Sequence, residues 1–213
     1  MSETTTLEFQ NDEFVPRSQP VRVAERFDIP AAVQVVRAGF ITDPVARWVY
    51  PDITEYMTVF PDFISGMAGR SFENETAYIS AGNAGAALWL PPGVGPDEEI
   101  LESVIENTVS PAIRKDLDSF MEQMSDLHPT EPHWYLPMIA VDPFRFGQGI
   151  GASLMRFPLE KCDEQGLPAY LESSNPRNIT LYQRFGFEIV GLIRAGGSPP
   201  MFPMMRRPRT ELS

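Results

Sequence analysis

The spacing of apolar positions alternates between helical and strand-like along the chain, and the switches outline its elements. Residues 21–27 read as a first strand, and Asp28-Ile29-Pro30 opens a helix through Phe40. A short helix begins at Asp43 or Pro44 and carries Trp48, Val49 and Tyr50 to Pro51. Over 53–72, Ile53, Tyr56, Met57, Phe60, Ile64 and Met67 recur at helical spacing, and Pro61 is expected to kink or split that helix. Residues 75–81 and 84–90 are β-type runs joined by Gly82-Asn83, a hairpin signal, and Pro91-Pro92-Gly93 ends the second. Helical spacing returns over 97–109 and 112–127, with Ile100, Leu101, Val104 and Ile105 on the buried face of the first.

The second half alternates more tightly. Residues 134–141 form an apolar strand, a glycine loop follows, and a helix over 152–164 buries Ile150, Leu154 and Phe157 and bends at Pro158. Residues 168–173 are a strand. Asn175 then caps a short helix started by Pro176, with Leu181 and Phe185 on one face and Gly186 as its stop. A strand over 187–194, a turn at 196–200 and a closing strand over 201–206 complete the pattern. Propensity alone reaches a mixed αβ domain. Residues 1–20 are read as a flexible N-terminal arm and 21–213 as a single domain, with a helical insertion at about 97–127.

Chemistry enters at Phe146-Gly147-Gln148-Gly149-Ile150-Gly151, between the strand and the helix. Closely spaced glycines keep side chains away, so that backbone N–H groups and the positive helix end can face one phosphate. A Walker loop would end in Gly-Lys-Ser/Thr, whereas Gly151 is followed by Ala152 and Ser153. A dinucleotide loop would lie near the start of a repeated strand–helix pattern. The ligand expected is phosphate-bearing but neither ATP nor NAD.

Charge supports an anion site there. The 213 residues carry a net charge of −12, yet residues 143–213 hold nine Lys/Arg against six Asp/Glu. Arg145, Arg156, Arg177 and Arg184 fall in stretches free of carboxylates.

Composition excludes several classes. There is no apolar run near the roughly twenty residues a membrane span needs, and the first 21 residues are polar and acidic with no basic leader. A cytoplasmic protein with no membrane partner is expected. The single cysteine, Cys162, allows no internal disulfide and reads as a packed or half-exposed small residue, with a catalytic thiol as the alternative. No metal is expected, since His128 and His133 lack a companion ligand set, and Asp97-Glu98-Glu99 reads as a helix start. Arg206, Arg207 and Arg209 are too few for a nucleic-acid patch.

The glycine loop and the segment Asn175…Leu181-Tyr182…Gly186-Phe187 together resemble the GCN5-related N-acetyltransferase (GNAT) superfamily over roughly residues 133–206. The resemblance implies an α/β sandwich, a mostly antiparallel mixed sheet flanked by helices, and acetyl-CoA as co-substrate. It implies contacts to acetyl-CoA from Met138, Ile139 and Val141 on the strand. Arg145, Gly147, Gln148, Gly149, Ile150, Gly151 and Ala152 follow in the loop, with Asn175 and Tyr182 beyond it. Phe146 departs from the family, which usually has Gln or Arg there. Looser patterns, Asp43 to Asp52 and Ala87 to Gly93, resemble a branch with puromycin-type antibiotic acetyltransferases.

In that reading an amine attacks the thioester, and Tyr182, a phenol with pKa around ~10, lends a proton to a thiolate whose conjugate acid has pKa near ~8.5. Glu172 is the candidate general base, with an arginine-paired structural role as its alternative; His133 acting through water is a weaker candidate. Phe40, Asp43, Trp48, Tyr50 and Trp89 either wall an acceptor pocket or belong to the core. The expected partners are acetyl-CoA and a small amine acceptor, with a homodimer left open. The rival readings are a CoA-binding sensor and a protein lysine or N-terminal acetyltransferase.

Overall fold

A proline inside a strand cannot donate to the ladder, and Pro137 sits in the middle of the strand that organises this fold. The computed structural model describes residues 20–209. Its seven strands are β1 (Val21–Val23), β2 (Ala77–Ser80), β3 (Gly85–Leu90), β4 (Trp134–Val141), β5 (Ala169–Ser173), β6 (Glu188–Ile189) and β7 (Phe202–Arg206). They form one sheet in the order β1-β2-β3-β4-β5-β7-β6, antiparallel except for β4 and β5. This is the mixed, mostly antiparallel sheet flanked by helices that the resemblance implies.

Pairing of β3 with β4 steps from Leu88↔Met138 to Leu90↔Tyr135, so β4 carries an extra residue around Leu136-Pro137. Side-chain parity shifts there. Trp134 and Leu136 face one side of the sheet together with Ile139 and Val141, while Met138 and Ala140 face the other. A bulge bends and twists its strand. Parallel pairing to β5 stops after Trp134↔Ala169 and Tyr135↔Tyr170, leaving residues 136–141 of β4 without a partner strand on that edge.

Helices cover both faces. On one lie α1 (Ile29–Gly39), α2 (Pro44–Val49), α3 (Ile53–Ala68), α4 (Arg70–Glu73), α5 (Glu98–Thr108) and α6 (Pro111–Leu127). On the other lie α7 (Ile150–Gln165) and α8 (Ile179–Arg184). Helix α1 approaches β4 so closely that a Cβ on Gly39 would sit 2.6 Å from Ala140 Cβ. Gly39→Val is therefore expected to destabilise the protein by about 1–3 kcal/mol, read as a lower melting temperature in a thermal scan.

Several expectations are corrected. Helix α3 runs through Pro61 and ends at Ala68; the Met57 carbonyl, which Pro61 cannot engage, accepts a bond from Arg37 Nη1 at 3.0 Å. Ile100 and Phe157, expected to be buried, are exposed, and Phe157 lies edge-on to Tyr78. The strand expected over 21–27 ends at Val23, and that over 187–194 shrinks to Glu188–Ile189. Arg206 is buried, and donates to Asp163 Oδ2 at 2.7 Å and to the Phe185 carbonyl at 2.9 Å. Cys162 is fully buried, its thiol pushed up to about 12 by desolvation. The arm expected over 1–20 lies, except for Pro20, outside the described residues.

Candidate active site

The gap between β4 and β5 opens into a cavity of about 860 Å³ that passes from one face of the sheet to the other. Its first end is the glycine loop. Gly147 and Gly149 have φ of +80° and +77°, a backbone that L side chains rarely adopt. Gly149 caps α7 without a side-chain partner, and Ser153 N–H is bonded to the Gly149 carbonyl at 3.0 Å. The N–H groups of Ile150, Gly151 and Ala152 are thus at the open N-terminus of a 16-residue helix.

Arg145, Arg156, Arg177 and Arg184 all line this cavity, so the cations that the sequence segregates from carboxylates converge on one space. Phe146 is 65% exposed and supplies no donor, and Arg145 Nε lies 3.7 Å from Asp142 Oδ2. The fit to an anionic phosphate ligand rests on the loop backbone and the arginines. Met138, Ile139, Val141, Arg145, Gly147, Gly149, Ile150, Gly151, Ala152, Asn175 and Tyr182 line the cavity; Gln148 does not, and projects from the loop as an exposed residue. In Gly149→Val, a β-branched residue at positive φ would strain the loop and crowd the helix end. The expected result is acetyl-CoA binding at least about tenfold weaker by calorimetry, with the circular dichroism spectrum retained.

Tyr182 lines the cavity, 5% exposed. Asn175 Oδ1 accepts from Arg177 N–H and sets the turn into α8, and Gly186, with φ +89°, ends that helix. Phe187 returns under Tyr182, with ring centroids 6.2 Å apart and an edge-on arrangement. Burial, then the charge of Asp43, raises the Tyr182 pKa above the usual phenol value, so the hydroxyl keeps its proton.

Glu172 lines the cavity as well. Its side chain is 4% exposed, and its buried Oε1 accepts no hydrogen bond. Burial and the charge of Glu172 raise the pKa values of Tyr135 and Tyr170. His128 Nδ1 stands 3.7 Å from Glu172 Oε1, and His128 Nε2 lies 3.1 Å from His133 Nε2. No arginine pairs with Glu172 among the described residues, so the arginine-paired role is not what the structure presents.

Asp43 bridges the gap from the opposite side. Its Oδ1 accepts from the N–H groups of Val45 and Ala46, capping α2, and its Oδ2 accepts from Ser174 Oγ at 2.6 Å. Burial raises its pKa, and these bonds oppose the rise. Ser174 escaped sequence reasoning, because nothing local ties it to a residue 131 positions away. Of the other pocket candidates, Phe40 and Tyr50 line the cavity, Trp48 packs against Phe120, and Trp89 is wholly core.

Comparison with known proteins agrees with this geometry. Residues 115–187 match the model of the acetyltransferase (GNAT) family. An uncharacterised N-acetyltransferase of Schizosaccharomyces pombe is 31% identical over 143 residues, which are 60% of this chain and 58% of that protein; the match thus spans little more than half of the curated relative's length. Among solved structures, a Corynebacterium glutamicum protein described as histone acetyltransferase HPA2 and related acetyltransferase aligns with a TM-score of 0.65 at 23% identity, over 92% of this chain and 99% of its own. Arylalkylamine N-acetyltransferase 2 of Aedes aegypti aligns with a TM-score of 0.62 at 10% identity, over 89% and 99%. With its bulged and parted central strands, glycine-capped α7 and this match, the chain resembles the GNAT acetyltransferase family over residues 115–187 and shares the fold of solved acetyltransferases.

Proposed function

We propose that this protein is an N-acetyltransferase that moves acetyl from acetyl-CoA directly to the amine of a small molecule, without a covalent enzyme intermediate. The observation that carries the reading is one cavity lined together by the N-terminus of α7, four arginines, Tyr182 and the buried carboxylate of Glu172, whose Oε1 accepts no hydrogen bond. Acetyl-CoA supplies its acetyl group as a thioester. The loop backbone from Gly147 to Ala152 and the nearby arginines would hold its phosphates. The unpaired edge of β4 offers backbone donors and acceptors to its amide-bearing arm.

Glu172 takes the proton of the acceptor ammonium, freeing the amine lone pair for attack. The Tyr182 hydroxyl meets the negative charge that develops on the departing sulfur. The small acceptor is supported by the burial of Glu172, and by the name of the Aedes aegypti fold neighbour. The test is mass spectrometry after incubation with acetyl-CoA and a panel of amines. Acetylated small amine with an unmodified protein is expected; an acetylated protein and unchanged amines would refute direct transfer to a small acceptor.

A further inference from the structure

Resting on the acetyl-transfer reading, we infer that the acceptor is a primary monoamine with an elongated apolar body, its ammonium at Glu172 and its body along α6. The inserted helices build the wall that selects it. On α6, Leu117, Phe120, Met121 and Met124 line the cavity at helical spacing, and Leu101 and Ile105 of α5 line it with them. These positions fall on one stripe. The stripe ends at His128, which follows the last turn of α6 and stands 3.7 Å from Glu172 Oε1. From Leu117 to His128 an α-helix rises about 16 Å. The carboxylate therefore marks one end of a long apolar groove.

The same cavity argues against a second positive charge on the ligand. Among the residues that line it, the carboxylates are Asp43 and Glu172. Asp43 is committed to two backbone N–H groups and Ser174. The Tyr50 hydroxyl, also on this wall, is paired with Thr108 Oγ1 at 2.9 Å. Of these two carboxylates, Glu172 alone presents a buried oxygen, Oε1, that accepts no hydrogen bond, with His128 Nδ1 3.7 Å away. A diamine would bring its second ammonium among leucine, phenylalanine and methionine side chains, where an unpaired cation is strongly disfavoured.

The test compares butylamine, hexylamine and octylamine with 1,8-diaminooctane, both as substrates with acetyl-CoA and as ligands of the CoA-saturated protein by calorimetry. The expected kcat/KM rises about fourfold per methylene while the chain stays on the stripe, and the diamine falls at least about tenfold below octylamine. Met124→Asp should lower kcat/KM for octylamine by about tenfold or more and flatten the series. Turnover with a flat series, or with the diamine equal to octylamine, overturns the inference and leaves acetyl transfer standing. Octylamine binding at least about tenfold tighter than the diamine without any turnover would sustain the groove and sink acetyl transfer to amines. Neither turnover nor preferential binding would overturn both.

Discussion

Tyr182→Phe is expected to lower kcat by about a hundredfold while leaving the acetyl-CoA dissociation constant within about twofold. The substitution removes one hydroxyl and keeps the ring that packs edge-on against Phe187, so the loop, α8 and the cavity wall should persist. Its effect should fall on the stage where charge collects on sulfur, which is why kcat and kcat/KM should drop together. The raised pKa sharpens the expectation. Desolvation, followed by the nearby Asp43 charge, keeps the phenol protonated well beyond neutrality. The wild-type alkaline limb should therefore not report Tyr182 ionisation below about pH 10. A variant with unchanged kcat would remove Tyr182 from the mechanism.

Glu172→Gln should have the largest effect, a fall in kcat/KM of about 10²–10³-fold at neutral pH. An alkylamine with pKa near ~10.4 is almost wholly protonated at pH 7, so attack needs a group to accept the proton. Gln preserves shape and polarity but cannot take it. The deficit should shrink as pH rises toward the amine's own pKa, because solvent then supplies the free base. A merely structural glutamate would produce a pH-independent loss, and a profile parallel to wild type would identify it as such. The position of the carboxylate favours the first outcome: its Oε1 is buried without a hydrogen bond, facing a cavity and an imidazole 3.7 Å away.

How far this site could be read from the chain depends on how local its determinants are. The glycine loop, the Asn175 cap and the Gly186 stop are short-range devices, and each appears in the structure where residue type and spacing placed it. Helices α5 and α6 were legible for the same reason, although Ile100, which touches Gly66 on α3 beside Leu101, keeps much of its side chain exposed. The parting of β4 from β5 was not read, yet Pro137 was its visible mark, an imino acid in the middle of an apolar run. Pro61 did not split its helix, and the Met57 carbonyl that it cannot engage is bonded by Arg37, on a different helix. The Asp43–Ser174 bond and the meeting of α6 with Glu172 join residues far apart in sequence. Local periodicity carries no signal for such pairs.

The arrangement also explains how an acidic chain can accommodate an anionic co-substrate. Four arginines converge on the cavity with the helix end, while the acidic excess belongs to residues 1–142. Glu172 lines the same cavity, buried, with His128 Nδ1 3.7 Å from its Oε1.

The most direct measurement is release of free CoA thiol from acetyl-CoA by the purified protein, with and without a long-chain primary amine, in wild type and in Glu172→Gln. The account predicts release that depends on the amine and falls about a hundredfold or more in the variant at pH 7. Amine-independent release, or equal release by both proteins, would contradict it.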